Sequence, residues 1–501
     1  MGVDLLAGLS QALEPQALLF TIIGTILGII FGALPGLTST MAVALLIPLT
    51  YSLDPIPGMG MLVGAFCGGT AGGSVSATLL KIPGTPSSIC TTFDAHPMAM
   101  SGKAGLALGT SVICSFIGGI FSLIALVLIA PQLAAVALQF GPFEYFGLAI
   151  LGLTIIASIS SKSMLKGIIS GLIGVFVSFI GVDVVTGQNR LTFGTVSLTG
   201  GLELLPVLIG LFAVSQAFVD AELFGTGMSD GEVLGGSKIK AELPKLRQLI
   251  NNWKIILSSS VLGCIVGILP GAGGSIASFV AYDTAKHISK SPETFGKGNI
   301  QGVMASETSN NAMTGGAMVP MMALGIPGDT CTAVMMGGLI IQGLRPGPML
   351  FQSNMDTVYG IFVALLIANI AMLLFQMIGI RVFVKILKVP KYMLTPFVLV
   401  LCTLGSFGLS KNLFDVVIML IFGIIGYFAV KLEYGVAPMV LGFILGSMAE
   451  KQLRSATTMY DSAMAVFTRP IAVVLLAAAI FCVLLPIIKQ VRKNEPLEVS
   501  N

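Results

Sequence analysis

The stretch Gly267-Ile268-Leu269-Pro270-Gly271-Ala272-Gly273-Gly274-Ser275 ends one apolar run and begins another. It has an earlier counterpart in Gly32-Ala33-Leu34-Pro35-Gly36-Leu37-Thr38-Ser39-Thr40. Downstream of each, a second apolar run breaks at Ile-Pro-Gly, first at Ile82-Pro83-Gly84 and again at Ile326-Pro327-Gly328. A helix in lipid cannot leave backbone groups unpaired, because no water is present to take the hydrogen bond. Proline removes a donor and glycine accepts unusual dihedrals, so these four points are expected to unwind helices. Interrupted helices at corresponding places in two halves are the sequence sign of a transporter's binding site.

The rest of the chain supplies the solvent for that reading. Of 501 residues, 55% are hydrophobic and only 10% charged, with a mean hydropathy of +0.97. Soluble domains carry about 25% charged residues, so this chain must meet lipid. Charge-free runs such as Ala104–Ala130, Ile255–Ala281, Gly360–Ile380 and Ile471–Ile488 approach or exceed the ~20 residues that span a bilayer core. Abundant glycine, 61 residues, suits close helix approach in lipid. The expected fold is an all-α polytopic membrane protein with about 10–12 transmembrane helices, broken helices and re-entrant hairpins. No signal peptide is expected, since the segment before the first span carries Asp4 and Glu14 and no basic residue.

Charge and cysteine usage exclude several classes. The net charge of +3 is spread over short loops, which leaves no nucleic-acid footprint. Seven cysteines lack paired spacing and lie mostly in apolar sequence, so they read as small buried side chains and not as disulfides or a metal site. No P-loop, nucleotide fingerprint or nucleophile elbow is present. His96 and His287 have no ligand partners at metal spacing. No cofactor, no metal centre and no enzymatic activity are therefore expected.

The longest charged segment, 222–252, reads as a cytoplasmic linker, since short basic loops stay inside. It contains Lys238, Lys240, Lys245 and Arg247. It divides a first transmembrane repeat, 1–221, from a second, 253–469; a terminal helix and basic cytoplasmic tail, 470–501, follow. Pro35 maps onto Pro270 with an offset of 235, and Pro83 onto Pro327 with an offset of 244. The nine residues gained fit the polar stretch Thr284–Asn299. Thr70-Ala71-Gly72 then aligns with Thr314-Gly315-Gly316. An internal duplication follows. Inverted repeats that meet near the midplane are the expected arrangement.

The breaks also carry the candidate chemistry. A helix that starts at Thr38-Ser39-Thr40 or at Gly273-Gly274-Ser275 offers free N–H groups and the positive end of its dipole, which suits a carboxylate. The hydroxyls add donors and caps. At the second breaks, Thr85 and Ser87 follow Pro83-Gly84, and Asp329 and Thr330 follow Pro327-Gly328. The second half also holds Glu307-Thr308-Ser309-Asn310-Asn311, where the first has Val63, Phe66 and Cys67 at the matching places. Ionisable and amide groups at membrane depth are costly and mark function. The expected substrate contacts are thus Pro35, Gly36, Thr38, Ser39, Thr40, Pro83, Gly84, Thr85, Ser87, Pro270, Gly271, Gly273, Gly274, Ser275, Pro327 and Gly328. Coupling to Na+ or H+ is expected at Asn310, Asn311, Asp329 and Thr330. Lys81, Lys103 and Arg345 flank the hairpins, where a long cationic side chain can equally snorkel to the interface.

The four motifs Gly32–Thr38, Lys81–Pro86, Gly267–Gly273 and Leu324–Asp329 resemble the large membrane subunit of tripartite tricarboxylate transporters, and the likeness runs over roughly residues 15–485. That resemblance implies a multi-pass protein of the bacterial inner membrane with two partners: a small four-helix membrane subunit and a periplasmic substrate-binding protein. It also implies uptake of an organic anion such as citrate or another tri- or dicarboxylate, driven by an ion gradient and not by ATP. A passive anion channel and an intramembrane lipid-modifying enzyme are the alternatives; the scarcity of charged groups within the spans disfavours the enzyme.

Overall fold

The computed structural model describes residues 2–159, 164–183, 186–225, 242–387, 391–460 and 462–492. Lys238 and Lys240 of the linker and Lys493 of the tail lie outside them. The first half opens with α1 (Gly2–Ala12), α2 (Pro15–Ala33), α3 (Ser39–Leu46), α4 (Pro55–Leu80), α5 (Ile89–Met98) and α6 (Ala104–Ala137). It continues through α7 (Pro142–Ile159), α8 (Met164–Ser178), α9 (Leu204–Ile209) and α10 (Ser215–Gly225). After α11 (Leu246–Asn251) come α12 (Trp253–Ile268), α13 (Gly273–Ile288), α14 (Ile300–Leu324), α15 (Thr330–Ile341), α16 (Leu350–Ser353) and α17 (Met355–Ile386). The chain closes with α18 (Lys391–Ser410), α19 (Leu413–Lys431), α20 (Val436–Tyr460) and α21 (Pro470–Arg492).

Helices dominate, as the composition requires. A two-residue antiparallel hairpin, Gly181–Val182 with Asn189–Arg190, is the exception among the described residues. Among the described residues, six helical segments are long and apolar enough to cross a membrane, and shorter apolar ones, α3, α12 and α15 among them, begin or end at the interruptions. The chain is therefore an all-α polytopic membrane protein.

The breaks form where the prolines fall. Leu34 and Leu269 leave the helix with extended backbone, and Gly36 and Gly271 then turn at φ +95° and +77°. At each, a matching bond closes the turn: Leu37 N–H donates to Leu34 O at 3.1 Å, and Ala272 N–H to Leu269 O at 3.3 Å. After the first tip the chain makes only the short α5, which contains Pro97 in its last turn and runs into a π turn, Ala99–Lys103. After the second it makes the similarly short α15, then α16 and α17. The order helix, break, helix, long central helix, tip, short helix, long helix occurs twice.

Packing repeats the offsets read from the sequence. A Cβ on Gly28 or Gly32 of α2 would fall 2.4 or 2.0 Å from the carbonyl of Ala65 or Gly69 on α4. The residues 235 further on, Gly263 and Gly267 of α12, stand in the same relation to Ser309 and Met313 of α14, at 2.4 and 2.6 Å. Ser309 and Met313 are Ala65 and Gly69 displaced by 244. Only glycine lets these backbones touch. Each half also lends its long helix to the other, since α4 packs on α17 and α14 on α6.

These contacts put α4 and α14 at the centre. From Ile56 to Leu79, and from Gly302 to Ala323, every residue is buried. That explains why these two helices are rich in glycine, serine and threonine: they meet protein and no lipid. Leu172, Phe176, Ile378, Leu404, Ile424 and Phe481 on the outer helices are exposed apolar side chains, as a lipid-facing surface needs. Around the core, α7 and α8 pack on α20, and α9 and α10 on α19. The added polar stretch of the second half lengthens α13 and ends in a loop held by Asp94 of α5. Asp94 Oδ1 accepts the N–H groups of Gly296, Gly298 and Asn299 at 2.9, 2.9 and 2.7 Å.

Candidate functional site

A cavity of about 450 Å³ lies where both breaks and both tips converge, within the ~300–1,000 Å³ usual for small-molecule sites. Its walls come from the starts of α3, α13 and α15 and from the 3-10 turn Pro86–Ser88. The halves are tied across it. Thr40 Oγ1 and Thr330 Oγ1 lie 3.2 Å apart, and Ser278 Oγ donates to Ser87 O at 2.8 Å. So α3 of the first half packs on α15 of the second, and α13 of the second on the first tip.

Of the residues singled out in the sequence, Thr38, Ser39, Thr40, Thr85, Ser87, Gly271, Gly273, Gly274, Ser275, Asp329 and Thr330 line this cavity. Pro35, Gly36, Pro83, Gly84, Pro270, Pro327 and Gly328 do not; they form the turns behind the wall. Gly271 N–H donates to Gly328 O at 2.8 Å, which ties one break to its own tip. Gly36 lies against Asp220, whose Oδ1 would be 3.0 Å from a Cβ placed there.

The helix starts are unequal. Thr38 caps α3 by accepting Met41 N–H at 3.2 Å. Asp329 caps α15: its Oδ1 accepts Thr332 N–H at 2.8 Å and Thr332 Oγ1–H at 2.7 Å. At α13, the residue before the helix is Ala272, and no side chain caps the first turn. Its leading N–H groups, on Gly273, Gly274 and Ser275, are orphan donors by helix geometry, and all three residues line the cavity. No lysine or arginine lines the cavity among the described residues. An anion here would be held by N–H dipoles and hydroxyls, not by a cationic side chain.

The two amides part company. Asn310 lies beside the cavity: its Oδ1 would be 2.8 Å from a Cβ on Gly274, its Nδ2 donates to Thr70 O at 3.3 Å, and Oδ1 itself is buried without a partner. Asn311 points elsewhere, donating to Ser115 Oγ at 2.8 Å and Glu307 O at 3.1 Å. It does not meet Asp329 or Thr330 in these hydrogen bonds. Lys81 and His96 line a separate, more open cavity, and neither Lys103 nor Arg345 lines the central one.

Several lining residues escaped sequence reading. Phe66, Thr70 and Met313 come from the central helices, and Phe212 from a π turn, Gly210–Val214, that interrupts α9–α10. Gly435, Val436 and Ala437 bring the start of α20 to the cavity. Tyr434-Gly435-Val436-Ala437-Pro438 is a legible helix start in the sequence. Nothing in it says which cavity it faces.

The class these features define is a polytopic helical membrane protein with a duplicated core, whose broken helices close around one interior cavity. The sequence profile of the tripartite tricarboxylate transporter TctA family matches residues 18–441, and the chain belongs to that family. It is therefore related to the large membrane subunit of such tripartite systems. A protein of Agrobacterium vitis described as an uncharacterized 52.8 kDa protein in the TAR-I ttuC' 3'region is 35% identical over 494 residues, 98% of this chain and 97% of that one. A second from the same organism, an uncharacterized protein in the TAR-II ttuC' 3'region, is 36% identical over 233 residues, 46% of this chain and 96% of its own.

Proposed function

We propose that this chain is the translocating subunit for secondary active uptake of a tri- or dicarboxylate such as citrate across the bacterial inner membrane. A periplasmic binding protein delivers the anion, a small four-helix membrane subunit completes the complex, and a Na+ or H+ gradient drives uptake. The observation that carries this reading is that one cavity is lined by the uncapped N-terminus of α13, by Thr40, Thr85 and Ser87, and by Asp329. Orphan N–H donors suit carboxylate oxygens. A buried carboxylate in the same cavity would repel such an anion unless a cation or proton arrived with it, which favours symport. Inverted repeats that rock or slide the tips about this fixed site would give alternating access.

The experiment is uptake of labelled citrate into proteoliposomes that hold this chain and the small membrane subunit, with the binding protein added outside. Accumulation above equilibrium that collapses with the Na+ or pH gradient supports symport. Flux that only equilibrates would make the chain a passive channel. Chemical conversion of lipid or citrate without accumulation would make it an enzyme.

A further inference from the structure

We propose that Glu307 is a proton-binding site of the transport core, exchanging its proton with water as the first tip moves; this rests on the reading of the chain as a gradient-driven transporter. Glu307 lies on α14, three residues before Asn310, and is fully buried. Its Oε1 is 2.5 Å from Thr91 Oγ1 of α5, and Ser115 Oγ of α6 donates to its Oε2 at 3.1 Å. Three helices from both halves thus close on one carboxyl group. Among the described residues, no lysine, arginine or histidine forms an ion pair with it.

The hydroxyl protons can be counted. Ser306 Oγ donates to Gly302 O at 2.9 Å, Asn311 Nδ2 donates to Ser115 Oγ, and Ser115 donates to Glu307. Thr91 has a single proton and two oxygen neighbours, Glu307 Oε1 and, at 3.2 Å, Ser306 Oγ. With a proton on Oε1, every contact is satisfied in one direction: Glu307 donates to Thr91, Thr91 to Ser306, and Ser306 to the Gly302 carbonyl. With Glu307 ionised, Thr91 must turn to Oε1, its contact with Ser306 loses its hydrogen, and a full charge sits out of water with no cation.

The surroundings offer no competing charge. The thiols on the elements packed against α14 are Cys67, Cys90, Cys114, Cys264 and Cys331, all buried. Asp329 at the start of α15 is engaged by Thr332, and Lys254 of α12 is exposed. Asp94 on α5 is taken up by three loop N–H groups and by Tyr282 Oη at 2.7 Å. His96, also on α5, has its Nδ1 at 3.1 Å from Thr78 O, while Asp283, Lys286 and His287 on α13 are exposed.

The site is joined to the cavity through two elements. Thr91 follows the Pro86–Ser88 turn that lines the cavity, and α14 carries Asn310 beside it. Displacement of the first tip would draw Thr91 from Glu307 and open the carboxyl to water. A proton taken from the face where the anion enters and released on the other side carries one positive charge inward, with no bond broken other than O–H.

Infrared pH titration of the full chain with its small membrane subunit in lipid, wild type against E307Q, tests the assignment. The expected result is a carboxylic-acid C=O band at neutral pH that E307Q removes, that vanishes at alkaline pH, and that is indifferent to replacing K+ by Na+. T91V, which breaks the donor chain and leaves the carboxyl in place, shifts the midpoint of that band. Absence of the band at neutral pH, or its loss on adding Na+ at constant pH, overturns the proposal. In proteoliposomes with the binding protein, an inward pH gradient accelerates wild-type uptake of citrate, and E307Q loses that acceleration. Acceleration equal to wild type would also overturn it. Wild-type protein that shows the band but moves no citrate would count against the transporter reading and leave the proton site standing.

Discussion

At the first tip the chain leaves α4 through Lys81 at φ +59°, and at the second it leaves α14 through Gly325 at φ +69°. The two positions differ by 244, and so do the residues that follow: Thr85 at one tip, Asp329 at the other. The backbone has kept its shape while the side chains diverged. The first tip presents hydroxyls alone, with Thr85 Oγ1 and Ser87 Oγ 3.0 Å apart. The second presents a carboxylate, and its central helix adds Glu307 and Asn310 where α4 has Val63 and Phe66. The two tips share a backbone shape, and the carboxylates among these matched positions lie in the second half. The difference teaches that geometry and charge are separable here.

The comparison breaks most severely at the glycine crossings. Gly32→Val should cost about 3 kcal/mol or more and abolish a folded product, because its side chain would enter the backbone of α4; yield and thermal melting in detergent measure this. Gly267→Ala, with its new Cβ 2.6 Å from Met313 O and not 2.0 Å as at Gly32, should be the milder lesion. At the tips, Asp329→Asn keeps a capping oxygen for Thr332 yet removes the charge. Concentrative citrate uptake should fall by about tenfold to a hundredfold, given ~1.5–3 kcal/mol for an interaction with a charged group. Unaltered ion dependence in that variant would erase the proposed asymmetry.

Smaller effects sharpen the same contrast. Gly325→Ala should destabilise by about 1–2 kcal/mol, since a side chain there meets left-handed strain and Pro346 O at 3.0 Å. Thr85→Val removes one hydroxyl from the cavity and should weaken citrate binding about tenfold, one hydrogen bond's worth; binding calorimetry on the complex reads it. Lys81→Gly should stabilise by roughly 0.5–1 kcal/mol through relief of the same strain. A loss of melting temperature instead would mean that Lys81 holds the neighbouring cavity, which it lines with His96.

Much of the site was legible because proline and glycine act locally. Thr38 to Thr40, Thr85, Ser87, Gly273 to Ser275, Asp329 and Thr330 were all found from the residues after a Pro-Gly pair, and all reach the cavity. Of the Pro-Gly residues themselves, only Gly271 reaches the cavity; the other seven stand behind the wall, because the turn they make points the following side chains inward. Asn311 follows Asn310 in the sequence, yet the two part company. One residue along a helix is a rotation of about 100°, so Asn310 sits beside the cavity while Asn311 joins Ser115. Phe212 and the start of α20 left no sequence mark of their destination, since distant helices bring them in.

By itself the sequence determined lipid as the solvent, the four interruptions, and the two offsets that align the halves, for hydropathy and backbone chemistry are written residue by residue. Which groups share one cavity, which helix start stays uncapped, and that Glu307 meets Thr91 and Ser115 were decided only by tertiary structure. The physical reason is that these meetings depend on how closely α2 crosses α4 and α12 crosses α14. That approach is set by backbone contact between segments far apart in the chain, not by any local propensity.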